Sequence, residues 1–532
     1  MRRLTLVLLV LSACGDDDPQ VNLPLRPRPW TLDPRFSELA AAVEADLETN
    51  LATGASVAVW LDGQVIWVGG FGSADPLGTR VPDEDTLYMI GSDTKKLTAM
   101  SLLRKVAAGD IALDTTIADV LPDLTMVYAP GFTHATVHDL LSHQGGIVDG
   151  VEETSSTTDA KLKNFTYGTF AHGFYAMAPP GRIWNYSNPN FSLAGLLDET
   201  LDERPWADIV SQDLFAPLQM TRTVARKSAV DENFSAGVSA DPDGGEAGVP
   251  TSLEDTWETA WVRPAGLVWS TPGDQMRLAA FLVDGNSSVL EPSMLELMTS
   301  AQAPLYPDLP GDYGYGLFVQ RGIMLGTEWY DIPVISHGGN TMTHTSTFYI
   351  LPYQRFAISI LSNGYGDDFS TSVAAAFKSL VTLPLSTTPP EKPFDASALD
   401  ALTGTYVDDY NVGEIIVARD GEALTLSAPS LDENGIPYET RMTPFSTRVW
   451  LANIQHQALD FSFIDGPDGE TYFRNRAVVA IRWPEGGGWP RPMPKPSRAQ
   501  LFKALAQMRL DPVPSFIRPH LQAQPSPSPA TR

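Results

Sequence analysis

The sequence predicts an α+β fold: an antiparallel sheet flanked by helices with a helical subdomain, followed by a small all-β C-terminal domain. Three observations lead there. Hairpin patterns open the main body, helical spacing fills its middle and strand patterns return at its end, an order that fits an antiparallel sheet with helices packed on it. A proline-rich polar stretch, PLSTTPPEKP at 384–393, has the composition of a linker. Beyond it the pattern changes to short alternating runs separated by Asp-Gly turns, as in a small barrel or sandwich.

The chain opens MRRLTLVLLVLSACGDDD. Two arginines, an apolar run from Leu4 to Leu11 and then small residues form a secretory signal over residues 1–13, too short to span a bilayer. Cys14 is the one cysteine of 532 residues, and Leu11-Ser12-Ala13-Cys14 is similar to a bacterial lipobox. The expectation is an exported lipoprotein, lipidated on Cys14, tethered through residues 14–35 and anchored in a bacterial membrane facing the periplasm or the outside. The plain alternative is a cleaved signal whose cysteine is incidental. A single cysteine rules out an intramolecular disulfide.

The main domain is placed at 36–385. Ser56 to Gly70 predicts a hairpin, two β-branched runs around Asp62-Gly63. Leu97, Met100, Leu103 and Val106 share one face of a helix over Lys95 to Ala108, which Gly109 ends. A second helix is expected over Phe191 to Leu201, and two strands around Pro-Tyr-Gln over Ser346 to Leu361. The linker is set at 386–394 and the β domain at 395–490, with strands over Gly404 to Tyr406, Glu414 to Ala418, Ala423 to Ser427 and Leu459 to Ile464. The tail, 491–532, is proline-rich and carries one short helix over 497–510 that Ser497 and Gln500 would cap.

Composition excludes more than it selects. With 64 acidic and 36 basic side chains, the net charge of −28 repels phosphates, and no basic run interrupts it. Nucleic acid is not expected as a partner. His134, His138 and His143 cluster, but no His-Glu-x-x-His accompanies them and the third leaves the helical face of the first two. No metal and no cofactor are expected, and His143 is assigned to packing around its turn. Gly-x-Ser-x-Gly is missing, which removes the nucleophile elbow of the α/β hydrolases.

Three short motifs carry chemistry. Ser92-Asp93-Thr94-Lys95 occurs at a helix start. A serine hydroxyl needs a base within reach, and three residues on a helix bring the next side chain onto the same face. Burial would lower the Lys95 pKa and free it for proton transfer. The bland reading is a capping serine and a surface lysine. Tyr186-Ser187-Asn188 is the chain's one Tyr-x-Asn and sits in a proline- and asparagine-rich loop. Alone, it reads as a core aromatic and a turn former. Ser336-His337-Gly338-Gly339-Asn340 follows an apolar run. Its glycines allow backbone to approach a ligand closely, and a strand edge there could offer an amide to an oxyanion, although on its own a histidine before two glycines reads as a turn.

Order and spacing add what each motif lacks. Ser-x-x-Lys, then Tyr-x-Asn about a hundred residues on, then His-Gly-Gly about a hundred and fifty beyond, resembles the penicillin-recognising serine hydrolases: class C β-lactamases, DD-peptidases and their esterase relatives. Asp139 to Ile147, Pro179 to Asn188, Pro264 to Gly273 and Tyr313 to Val319 look like segments of that family. The resemblance implies that Ser92 is acylated while Lys95 and Tyr186 move protons. It implies that Asn188 orients the substrate amide or the lysine. The amides of Ser92 and Asn340, beside Gly339, would form the oxyanion hole. His337 would stand where relatives carry a lysine, a cation suited to a substrate carboxylate. Histidine is mostly neutral at pH 7, so the implied substrate is a small ester or a peptide-like amide, cleaved by an esterase or D-peptidase. β-Lactamase or DD-peptidase activity is the alternative. A non-catalytic envelope module that binds ligand with the same fold is the alternative of another class.

Overall fold

The computed structural model describes residues 33–50, 52–75, 77–151, 155–238, 250–366, 368–390 and 392–483, together with 501, 502 and 505. The expected signal, Cys14 and nearly all of the tether lie outside the described residues, as does most of the terminal helix, of which Leu501, Phe502 and Leu505 are helical.

The first sheet is built on the expected hairpin. β1 (Gly54–Leu61) and β2 (Gln64–Gly72) pair antiparallel across Asp62 and Gly63, whose φ values are 50° and 91°. Two successive left-handed residues give the turn a twist that matches its strands. β3 (Ala303–Pro304), β4 (Asp312–Tyr313), β5 (Phe318–Gln320), β6 (Val334–Asn340), β7 (Thr345–Leu351) and β8 (Phe356–Ser362) complete eight antiparallel strands in the order β2-β1-β8-β7-β6-β5-β4-β3. The beginning of the domain therefore pairs with its end, from Ala55 opposite Ser362 to Leu61 opposite Phe356.

Five longer helices accompany this sheet: α1 (Ser37–Asn50), α2 (Lys95–Ala108), α3 (Asn188–Asp202), which packs on α2, α4 (Pro272–Asp284) and α5 (Ser370–Leu380). On one face, α1 and α5 bury Leu39, Val43, Val373 and Phe377 with Val57, Val59, Ile358 and Ile360. On the other, α2 and α4 bury Leu97 and Met276 with Ala58, Trp60 and Ala357. Covering both faces makes β1 and β8 almost uniformly apolar. Gly109, at φ 81°, ends α2 where the spacing predicts. α3 starts at Asn188, ahead of the expected Phe191, because Pro189 occupies its first turn, where a missing N–H costs nothing.

The C-terminal strands β9 (Gly404–Asp408), β10 (Gly413–Asp420), β11 (Ala423–Ser427), β12 (Thr443–Pro444), β13 (Val449–Ile454), β14 (Gln457–Asp465), β15 (Thr471–Asn475) and β16 (Val478–Arg482) form a second antiparallel sheet, ordered β11-β10-β9-β16-β15-β14-β13-β12. Its edges meet: Leu426 N donates to Thr440 O, and Met442 N to Leu424 O. The result is a nearly closed barrel around Tyr406, Trp450, Phe461 and Phe473, with Leu501 and Leu505 in the same core.

The barrel docks on the first domain. Val148, Met177, Ala178 and Ile183 pack against Tyr472 and Val479. Tyr175 and Tyr410 stack with ring centres 3.5 Å apart, and Tyr306 Oη donates to Asp460 Oδ2 at 2.6 Å. No helix among the described residues is long and apolar enough to cross a membrane.

Candidate active site

Three distant segments meet at the free edge of β6. Ser92 lies in a tight turn, Gly91–Thr94, that runs into α2. Gly91 has φ +53°, and a Cβ there would come 2.5 Å from Asn340 N. A Cβ on Gly339 would lie 1.9 Å from Ile90 O and 2.7 Å from Ser92 N. Two facing glycines thus let β6 rest directly on the turn that carries the serine. Of β6, only Val334, Ile335 and Ser336 pair with β5, which leaves 337–340 open toward that turn. The His-Gly-Gly segment is strand rather than the turn its composition suggests. Its glycines serve close approach and not a change of direction.

Lys95 is wholly buried beside the half-buried Ser92. Its Nζ lies 2.9 Å from Ser92 Oγ and donates to Asn188 Oδ1 at 2.8 Å and to Ala265 O at 2.7 Å. Two of these partners are carbonyl oxygens, which only accept. Ser92 Oγ can also donate. A neutral amine has two N–H bonds and one lone pair, so the two carbonyls hold the N–H groups and the lone pair is left for the serine hydroxyl. Burial holds the Lys95 ammonium well below its ordinary 10.5; Asp149 pulls the other way, and Arg476 adds to the depression.

Tyr186 is buried with its ring centre 4.8 Å from Lys95 Nζ. The His143 ring lies 4.2 Å from it, centre to centre. His143 does pack in its own turn, at φ 60°, and it also accepts from Ser187 N at 3.2 Å. Sequence reasoning set it aside from the site; the structure puts it under the tyrosine. Asn188 N donates to Asp149 Oδ1 at 2.7 Å. Asp149 in turn takes Nε and Nη2 of Arg476, at 3.0 and 2.7 Å, and Arg476 Cζ stands 4.5 Å from the Tyr186 ring centre. Arg476 comes from the barrel, in the turn between β15 and β16.

His337 is enclosed in β6. Its Nδ1 lies 2.6 Å from Gly338 O, an acceptor, so Nδ1 carries the proton and Nε2 accepts from Tyr313 Oη at 3.0 Å. Burial, then Lys95, pushes the His337 pKa down to about 3. The ring is neutral and both nitrogens are engaged. His138 Nδ1 meets Tyr315 Oη at 2.8 Å. Among the described residues no three His, Cys, Asp or Glu side chains converge as metal ligands.

Residues 39–382 match the family model described as Beta-lactamase. The chain belongs to that family. Its fold and its resemblance to the superfamily are as the sequence predicts. Penicillin-binding protein 4 of Amycolatopsis lactamdurans is 26% identical over 320 residues, which is 58% of this chain and 81% of that protein. The octameric penicillin-binding protein homologue from Pyrococcus abyssi superposes with TM-score 0.56 at 20% identity, over 84% of this chain and 99% of that one. A D-stereospecific amidohydrolase from Streptomyces sp. superposes with TM-score 0.50 at 26% identity, over 63% and 98%.

Within this β-lactamase-family site, Ser92, Lys95, Tyr186 and Asn188 come together, and the backbones of Gly339 and Asn340 lie against the Ser92 turn. The sequence reading missed Asp149, the Ala265 carbonyl and Arg476. Ala265 lies within the Pro264 to Gly273 segment that looks familial, but a backbone oxygen leaves no residue-type signal. Asp149 stands two residues beyond the Asp139 to Ile147 segment. Arg476 has no local signal at all.

Proposed function

We propose that this member of the β-lactamase family is a serine hydrolase that cleaves a small ester or peptide-like amide in two steps, through an acyl-Ser92 intermediate. One observation carries the reading: a buried lysine with a depressed pKa sits 2.9 Å from the serine oxygen, its other two hydrogen bonds going to carbonyls. In the first step Ser92 Oγ bonds to the acyl carbon as its proton passes to Lys95. The leaving group departs with a proton delivered through Lys95 and Tyr186. In the second step water attacks the acyl carbon, the same groups take its proton, and Ser92 leaves protonated. The amides of Ser92 and Asn340 would receive the oxyanion.

One fact favours an esterase or D-peptidase over an efficient β-lactamase: His337 is neutral and saturated where a carboxylate-binding cation would be needed. Lipidation of Cys14, with the domain exported and held at a bacterial membrane, belongs to the same proposal.

The test is labelling of purified protein lacking residues 1–14 with a fluorophosphonate, an activated ester and a β-lactam, alongside Ser92→Ala. A covalent adduct on Ser92 that the variant lacks is the expected result. Equal labelling of the two proteins would remove Ser92 as nucleophile, and ligand retention with no acylation would leave a binding module. A panel of short esters, D-amino-acid amides, D-alanyl peptides and a chromogenic cephalosporin then ranks the substrates.

A further inference from the structure

The barrel reaches the active site through one turn. Arg476 sits between β15 and β16 and binds toward the first domain. Arg476 makes the two-pronged pair with Asp149 described above, with both side chains under one tenth exposed. The other Asp149 oxygen holds Asn188 N. Arg476 O accepts from Asn185 Nδ2 at 3.0 Å, and Arg474 Nε donates to Asn185 Oδ1 at 3.1 Å. Arg474 also lies over Trp184, 4.6 Å from its ring centre. Residues 184, 185, 186 and 188 are thus touched or held from the barrel side, directly or through Asp149. No part of the proposed two-step reaction uses either member of the pair.

We propose that Asp149 and Arg476 are positioning residues for Tyr186, Asn188 and Lys95, so that the barrel domain completes the hydrolase site. The proposal rests on the serine hydrolase reading. Arg476 fixes the face of Tyr186 while Asp149 fixes the backbone of Asn188, whose side chain holds Lys95. The pair also sets opposed charges near the lysine, where Asp149 favours the ammonium and Arg476 disfavours it. On its own element Lys95 faces Ser92, with the buried Asp93–Lys96 pair adjacent in sequence. From the others it faces Tyr186, Asn188, His143 and His337, with both imidazoles held neutral by burial. Asp149 and Arg476 are therefore the nearby charges whose removal moves Lys95 in opposite directions.

The experiment compares the full domain pair with Arg476→Gln, Arg476→Lys, Asp149→Asn and the double neutral variant. It measures the pH dependence of kcat/KM on a neutral p-nitrophenyl ester, single-turnover acylation of Ser92, and Tm. Arg476→Gln is expected to move the acidic limb up, and Asp149→Asn to move it down, each by about half a pH unit or more. Arg476→Gln should slow acylation at pH 7 by about tenfold or more with KM changed far less, and Arg476→Lys should recover most of that loss. Where a single variant fails to fold, the double variant, which leaves no buried charge unmatched, is expected to fold and still acylate about tenfold slower. A limb that stays in place in both singles, or moves the same way in both, overturns the proposal. So does a loss confined to KM for carboxylate-bearing substrates, which would make Arg476 a substrate contact. Wild-type protein that does not label on Ser92 refutes the hydrolase reading itself; labelled wild type with an unmoved limb refutes only the positioning role.

Discussion

Asp149 and Arg476 stand 327 residues apart in sequence and close a buried ion pair against the segment that presents Tyr186 and Asn188. Removing one partner alone leaves a buried charge without a counterion, which typically costs about 3–5 kcal/mol. The pair therefore ties the fold of the barrel to the geometry of the hydrolase domain. Its consequences for the site can be separated from those of the groups closest to the serine.

Lys95→Met is expected to lower kcat/KM by about a thousandfold or more, since the serine would lose its proposed base. Stability should move the other way. Between the depressed folded-state pKa of Lys95 and 10.5, the unfolded chain binds a proton that the folded chain does not. Stability contributed by this group therefore rises with pH across that window and is lost as pH falls. At pH 7 the methionine variant should melt no lower than the parent, with any advantage shrinking toward pH 10.5. A variant markedly less stable at pH 7 would argue against a neutral buried lysine.

Buried histidines are expected to make the protein acid-labile. His344 Nε2 donates to Ser235 O at 3.0 Å, its Nδ1 meets Thr343 Oγ1 at 2.9 Å, and burial pushes its pKa down to about 4. The unfolded histidine takes a proton near its ordinary value of 6.5. Stability is accordingly lost as pH falls from there toward 4, at up to about 1.4 kcal/mol per pH unit for each such group. His337 acts in the same sense down to about 3. Melting curves from pH 4 to 7 should show a shallower acid slope for His344→Gln than for wild type. Identical slopes would mean that His344 is already charged in the folded protein.

Gly339→Ala places a methyl group where Ile90 O and Ser92 N now lie, at 1.9 and 2.7 Å. Because both are backbone atoms, β6 or the Ser92 turn has to shift. Such a shift of the amides about the serine should slow acylation by about a hundredfold or more. Acylation rates and Tm measured together check this. Full activity in the alanine variant would mean that β6 does not bear on the serine turn as tightly as the contacts require.

The proposed lipid anchor turns on one atom, the Cys14 sulfur. With Cys14→Ser in cells, the protein is expected to leave the membrane fraction and to lose incorporation of labelled palmitate. Retention of label in the serine variant would refute the lipoprotein assignment.

Local signals proved legible where local physics decides. Asp62-Gly63 dictates a hairpin because two left-handed residues suit its twist, and Gly109 stops α2 because it can adopt φ 81°. Ser92 and Lys95 share a face because a helix repeats at that spacing. The start of α3 was misplaced because a proline reads as a break, whereas at the first helical turn it is a good beginning. His337 and its glycines looked like a turn because composition does not show that another backbone will press against them.

From its residues alone the chain determines the elements and the two-domain order, since these depend on period and turn chemistry, while the trio Ser92, Lys95 and Tyr186 is what its motif order implies through the family resemblance. Tertiary structure alone decides that Lys95 is buried with two carbonyls and one hydroxyl, that His337 is neutral, and that a barrel arginine meets Asp149 behind the tyrosine. Burial and charge pairing are properties of which surfaces come together. No stretch of sequence around Asp149 or Arg476 encodes that meeting by itself.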